Sequence, residues 1–262
     1  DHRKILVIDG HTAFNGDVNL ADEYINRKVK YGHWKDAAVM LKGEAVKSFT
    51  LMFLQMWGIG ERKDEYARFL AYDPHPVKGA GGYVVPYGDC PLDGEKVGER
   101  VYMDILNRSL SYVHIMTPYL ILDDEMKSAL KYAAQRGVDV KLILPGIPDK
   151  KTAYALAKSH YQSLVNAGVK IYEYTPGFVH AKVFVCDDIK AVVGTINLDY
   201  RSLYHHFECG TFLYRTECIA DIERDFQDTL EKCRRVTQNS IRHEKGSYKL
   251  MGSFLKFIAP LM

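Results

Sequence analysis

Short apolar runs rich in Val and Ile alternate along this chain with stretches whose apolar residues recur at helical spacing. That is the pattern of an α/β fold whose sheets are covered by helices. It predicts strands over 4–8, 37–41, 83–87, 114–117, 138–144, 170–174, 182–186, 191–194 and 209–214. Helices are predicted over 44–57, 98–109, 152–167 and 219–233. Another should start at Asp123, an N-cap followed by Met126, Leu130 and Ala133 and closed by Gly137. Pro74, Pro76, Pro86, Pro91 and the run Gly79-Ala80-Gly81-Gly82 punctuate residues 73–91, so the first half reads as a loop with a lobe boundary near residue 82. The longest uncharged run, 109–122, contains His114 and Pro118 and falls short of the ~18 apolar residues of a membrane-spanning helix.

An internal repeat carries more information than any single element. His2, Lys4, Asp9, Gly16 and Asn19 recur as His180, Lys182, Asp187, Gly194 and Asn197, each displaced by 178 residues; Val7, Ala13 and Leu20 recur as Val185, Ala191 and Leu198. A chance match to H-x-K-x4-D-x6-G-x2-N is expected on the order of once in ten thousand chains of this composition, so two matches mean two copies of one unit. Residues 1–82 are then a first lobe and 83–262 a second. The second motif follows roughly 95 residues of strand and helix pattern whereas the first begins at residue 2, so the first lobe is expected to lack its front portion.

Residues two apart in a strand share a face, so each motif presents an imidazole beside an ammonium. That pairing suits a phosphodiester: two lysines hold the equatorial oxygens, one histidine attacks phosphorus, and the other protonates the departing alkoxide. Gly16 and Gly194 would let backbone approach the site, Asn19 and Asn197 would donate to phosphate oxygens, and Thr195 adds a hydroxyl in the second copy. A working histidine also needs an acceptor on its other ring nitrogen. Glu208 lies 28 residues after His180 and Asp36 lies 34 after His2, so each is expected to reach back to the histidine of its own motif. Glu208 is the stronger candidate, because Phe207 and Cys209 mark a buried strand where a free carboxylate is costly.

At these residues the chain resembles the phospholipase D superfamily, and more closely the bacterial cardiolipin synthases. The closer match rests on His2-Arg3-Lys4-Ile5, Thr117-Pro118-Tyr119, Gly177-Phe178-Val179-His180-Ala181-Lys182 and Asn197-Leu198-Asp199-Tyr200-Arg201-Ser202-Leu203. The resemblance implies a two-lobed α/β fold, with mixed sheets flanked by helices and one active site between pseudo-twofold lobes. It also implies metal-independent transfer of a phosphatidyl group through a phosphohistidine, joining two phosphatidylglycerol molecules into cardiolipin with release of glycerol. His2 would be the nucleophile and His180 the general acid and base, with Lys4, Lys182, Asp9 and Asp187 completing the catalytic set. No cofactor and no metal are expected. The partners would be phosphatidylglycerol and an anionic membrane surface, with neither nucleic acid nor an obligate protein partner. The location would be peripheral or on the cytoplasmic side of a bacterial cell membrane. One departure stands out: Asp17 occupies the place where the family has Gly, Ser or Thr, and a carboxylate there repels phosphate unless it faces away or pairs with a lysine.

Composition narrows the alternatives. Lys plus Arg number 35 against 33 Asp plus Glu, a net charge of +2, which argues against the basic groove of a nuclease. The motifs alone leave open a hydrolase, with water as acceptor, and a non-catalytic module keeping the fold. Five cysteines without a CxxC pair argue against a disulfide framework or a thiolate zinc site and for a reducing compartment, and Cys186 reads as an inert buried thiol. The adjacent His205 and His206 should face opposite ways and read as surface residues. His11, His33, His75, His114, His160 and His243 lack partners at ligand spacing. Residues 232–262 hold seven Lys or Arg and one acidic residue. A helix there would put Lys249, Lys256, Gly252 and Ser253 on one face and Leu250, Phe254, Phe257, Ile258 and Leu261 on the other, to lie in a membrane surface or pack on the core.

Overall fold

The computed structural model describes residues 1–60, 66–71, 79–244 and 246–261. The chain opens with β1 (Ile5–Ile8) and β2 (Thr12–Gly16), followed after a long irregular loop by β3 (His33–Lys35), β4 (Ala38–Lys42), α1 (Ala45–Trp57) and the short α2 (Tyr66–Leu70). Next come β5 (Tyr83–Asp89), α3 (Val97–Arg108), β6 (Tyr112–Met116), α4 (Asp124–Gln135), β7 (Asp139–Pro145), α5 (Lys151–Asn166) and β8 (Lys170–Tyr174). The remainder comprises β9 (Gly177–Val179), β10 (Val183–Cys186), β11 (Lys190–Gly194), β12 (Glu208–Tyr214), α6 (Cys218–Leu230), β13 (Cys233–Arg235), α7 (Gln238–Arg242) and α8 (Gly246–Leu255). Pro74, His75 and Pro76 lie outside the described residues.

Three sheets result. An eight-stranded sheet runs β13-β8-β7-β6-β10-β11-β12-β5, parallel across β6, β7 and β8 and antiparallel elsewhere. Alternation along its strands sorts the core by face. Leu142, Leu144, Phe184 and Val192 meet Tyr102 of α3, Leu130 of α4 and Leu164 of α5, while Ile143, Val183 and Val193 meet Phe226 of α6. Residues 5–42 form a smaller antiparallel sheet, β1-β2-β4, with Phe49 of α1 packed among Ala13, Leu41 and Cys209. The third is a two-stranded parallel ladder of β3 with β9, pairing Trp34 with Phe178.

The repeat superimposes β1 and β2 on β10 and β11. β10 has partners on both edges, β11 and β6, whereas among the described residues β1 pairs only with β2. Several local expectations hold. Asp123 caps α4 by accepting from the Met126 N–H at 2.7 Å, and Gly137 takes φ +94° just beyond the helix. The predicted helix over 219–233 is shorter, since Cys233 opens the edge strand β13. Among the described residues, no helix is long and apolar enough to cross a membrane.

The basic tail departs from its expected facing. Leu255 and Ala259 are buried against Ile121, Ala153 and Leu156. Gly252, expected on the polar side, faces α5 so closely that a Cβ there would stand 2.5 Å from the Ala155 carbonyl oxygen. The helix therefore docks on the core through Gly252 and Leu255.

Candidate active site

His2 and His180 line one cleft of about 590 Å³, together with Asn19, Tyr24, Trp34, Tyr119, Asn197 and Arg201. The two motifs enter it by near-identical local geometry. His2 donates its backbone N–H to the Phe207 carbonyl at 2.9 Å, and His180 donates to the Lys35 carbonyl at 2.8 Å. Lys4 Nζ donates to the His2 carbonyl and Lys182 Nζ to the His180 carbonyl, both at 2.7 Å. Each histidine is thus stitched to the segment that follows the other motif, at the residue preceding Glu208 or Asp36.

The carboxylates are consequently exchanged. Glu208 accepts from His2 Nδ1 at 2.9–3.0 Å, and Asp36 accepts from His180 Nδ1 at 2.9 Å. The expectation that each acid serves the histidine of its own motif is corrected: both residues lie at the site, with partners swapped. The cause is topological. β3 pairs with β9 rather than with its own lobe, which carries Asp36 to His180, and Glu208 opens β12, which follows the backbone that receives His2.

The motif glycines have a related use. A Cβ on Gly16 would fall 2.3 Å from the Ala37 carbonyl oxygen, and one on Gly194 would fall 2.5 Å from that of Cys209. The backbone admitted is that of the segment carrying Asp36 or Glu208. The next residues repeat the pattern, Asp17 N–H bonding the Ala37 carbonyl and Thr195 N–H that of Cys209, and here the symmetry breaks. Thr195 is fully buried and its hydroxyl donates to Glu208, so it steadies the carboxylate behind His2 and does not face the cleft. Asp17, also fully buried, accepts from the Lys182 backbone N–H at 2.7 Å and lies 3.3 Å from Lys182 Nζ. Burial raises its carboxyl well above the ordinary range, with Lys182 opposing. The carboxylate that would have repelled phosphate is paired with a lysine.

The two histidines differ in electrostatic setting. His180 is enclosed by Trp34, Tyr24 and Phe178, and Lys182 Nζ stands 3.0 Å from its Nε2. Burial first, and the lysine next, lower its pKa to about 4 despite Asp36. The neutral ring then carries its proton on Nδ1, toward Asp36, and leaves a lone pair on Nε2. The His2 side chain is 30% exposed. Burial followed by Lys182 lowers Lys4 to about 8.

Asn19 and Asn197 both line the cleft. Asn197 Nδ2 bonds Ser202 Oγ at 2.9 Å, leaving Oδ1 buried without a hydrogen-bond partner. The reverse amide orientation lets the Ser202 hydroxyl donate to Oδ1 and turns Nδ2 to a phosphate oxygen. The motif aspartates stand apart from the reacting groups. Asp187 sits at φ +53° in the β10–β11 turn and accepts the backbone N–H groups of Leu110, Ser111 and Tyr112, each at 2.8 Å. Asp9 occupies the matching position at φ +51°. Asp187, expected in the catalytic set, thus ties the end of its motif hairpin to the start of β6.

His206 is the cleft residue that sequence reasoning passed over. Residues 201–205 form one wide helical turn, so the alternating-strand argument does not apply. His206 reaches the cleft with its ring 5.9 Å from that of His2, while His205 bonds the Pro260 carbonyl. The ligand atoms of His2, His206 and Glu208 lie within 4.8 Å of one another, a cluster the sequence spacing did not reveal. Among the remaining histidines, His114 is stacked on Phe226 and bonded to Glu223, and His33 is bonded to Tyr174.

Residues 102–230 match the family described as cardiolipin synthase, PLD-like domain. The whole chain is 64% identical to an uncharacterized protein of Streptococcus mutans, covering 57% of it, and 37% identical to cardiolipin synthase 2 of Bacillus cereus, covering 51%. It thus spans about half the length of the curated relatives it matches. A crystal structure of phosphatidylserine synthase from Haemophilus influenzae superposes on 99% of the chain, with TM-score 0.70, 15% identity and 68% of that protein covered, a likeness of fold.

Proposed function

Because residues 102–230 match the PLD-like domain family of cardiolipin synthases, we propose that the chain belongs to the phospholipase D superfamily and serves a phosphatidyltransferase that makes cardiolipin from two phosphatidylglycerol molecules through a phosphohistidine. Residues 1–82 bring the first motif and residues 83–262 the second. The observation that carries this reading is the pair of histidines on one cleft, each held at Nδ1 by the other lobe's carboxylate.

The unequal settings favour His180 as nucleophile and His2 as proton carrier, the reverse of the order implied by resemblance. A nucleophile needs a neutral ring with an available Nε2 lone pair; burial first and Lys182 next favour the neutral ring of His180, and its Nε2 lone pair, which accepts from Lys182 Nζ, becomes available once that ammonium turns to phosphate. Its Nε2 attacks phosphorus as Lys182 moves onto a phosphate oxygen, and the bond to glycerol breaks. His2, held at Nδ1 by Glu208, protonates the departing alkoxide. His2 then removes the proton from a hydroxyl of the second phosphatidylglycerol, whose oxygen attacks phosphorus and frees His180. Lys4, Asn19 and Asn197 hold the oxygens as charge shifts among them.

The test is acid quenching of the protein during turnover of phosphatidylglycerol. A phosphatidyl adduct on His180, with cardiolipin as product, is expected. An adduct on His2 reverses the assignment, phosphatidic acid alone makes water the acceptor, and turnover with no adduct removes the covalent mechanism.

A further inference from the structure

The cleft has two rims, and both present large apolar side chains to solvent. The first is the irregular loop between β2 and β3. Its inward residues are fixed: Asn26 holds Trp34 through two backbone hydrogen bonds of 2.7 and 2.9 Å, and Tyr24 packs 4.5 Å from the Trp34 ring. With its anchors spent inward, the loop leaves Leu20, Ile25 and Val29 outside, Leu20 entirely so. The second rim is the docked tail. Leu255 and Ala259 pack on Ile121 and Ala153, which also line the cleft, and this seating turns Phe254 and Phe257 outward, Phe257 at 86% exposure. Exposed single hydrophobes are ordinary, but clusters on both rims of one cleft mark an interaction surface.

The charge around these residues selects the partner. Arg27, Lys28 and Lys30 are exposed on the loop, Lys30 3.6 Å from Glu23, Lys150 and Arg201 lie at the cleft beside Asp149, and Lys256 is exposed on the tail, so cations outnumber acids around the apolar tips. Apolar tips set among cations fit the interface of an anionic bilayer, where the tips enter the acyl boundary and the cations meet headgroup phosphates. We infer that the 17–32 loop and the C-terminal segment around Phe254 and Phe257 form one two-sided docking surface for anionic lipid bilayers, which sets the cleft mouth on the membrane. The inference takes from the proposed function only the identity of the headgroup.

Sedimentation with sucrose-loaded vesicles tests it, comparing phosphatidylglycerol with phosphatidylcholine. The protein is expected to bind the anionic vesicles, with binding weakened by salt. Leu20→Ser with Val29→Ser, and separately Phe254→Ser with Phe257→Ser, should each lower the partition coefficient at least tenfold while leaving the circular dichroism spectrum and Tm unchanged. Turnover of short-chain, water-soluble phosphatidylglycerol should not change in either variant. Unaltered vesicle binding in both variants overturns the surface, as does loss of a dimer in sedimentation velocity with vesicle binding intact, which would assign these residues to self-association. Absence of any turnover would refute the enzymatic reading while the vesicle result stands by itself.

Discussion

Glu208→Gln isolates the crossed pairing. The substitution keeps the volume of a fully buried side chain and removes only the charge that accepts from His2 Nδ1. A hydrogen bond to a charged group contributes about 1.5–3 kcal/mol. In the proposed cycle this bond matters most when His2 carries its proton, so the loss falls on the transition state. At 1.36 kcal/mol per decade that predicts a fall in kcat of about 10- to 150-fold. KM should change less, because Glu208 is absent from the cleft lining. The kinetic result alone does not say which histidine is affected. Long-range 15N imidazole spectra do: Glu208→Gln should move the Nδ1 resonance of His2 and leave that of His180 in place, and Asp36→Asn should do the opposite. A Glu208→Gln protein whose spectrum changes at His180 alone, or that keeps its full kcat, would refute the reasoning.

Acid should destabilise the fold between about pH 6.5 and pH 4. His180 and His160 are both lowered to about 4 by burial, with neighbouring lysines adding to it, so their contribution is complete above the unfolded value and lost as pH falls, about 3 kcal/mol each; a flat urea midpoint over that range in wild type would contradict this. Asp187→Ala should lower stability by about 2 kcal/mol, from three backbone donors left to water, and Tm by about 4–8 °C, with kcat at saturation retained near wild type; a large loss of kcat at unchanged Tm would return Asp187 to the chemistry. Activity should persist in excess chelator, and reversible loss restored by one divalent metal would make the His2, His206 and Glu208 cluster a catalytic site. An equimolar mixture of His2→Asn and His180→Asn proteins should stay inactive, since both rings belong to one cleft of one chain; recovery of activity on mixing would mean that chains exchange lobes.

Much of the fold was legible because periodicity reports burial directly. β10 is a continuous apolar run, β6 is broken only by His114, and β7 carries Leu142, Ile143 and Leu144 in succession, and the 178-residue repeat locates both motifs without any contact. What periodicity cannot carry is pairing over long separation. β3 and β9 are three residues each, too short to show alternation, yet their ladder delivers Asp36 to His180. Proximity in sequence suggested the same-motif carboxylate, and the strand pairing overrode it. The glycines were recognised as places of close approach, but not what approaches. The motif aspartates, conspicuous through repetition, repeat because a turn repeats. His206 was hidden because a short run of residues gives no sign that it winds as a wide helical turn, and the tail was misfaced because Gly252 reads as neutral until a helix lies against it.

The crossed pairing makes the lobes mutually dependent in a way a simple duplication need not be. Each lobe supplies a histidine and a lysine for phosphate, but the acid that sets its ring comes from the other, along with the carbonyl that holds its backbone. Chemistry in two half-reactions nevertheless requires the two rings to differ, one neutral and one able to carry a proton. The copies differ at the equivalent positions behind the motif glycines: Thr195 gives its hydroxyl to Glu208, the carboxylate behind His2, whereas Asp17 lies against Lys182, whose ammonium donates to His180 Nε2. Burial first, and that lysine next, lower the His180 pKa. A symmetric frame thus fixes where the rings stand, and the enclosure of one of them gives it a different electrostatic setting.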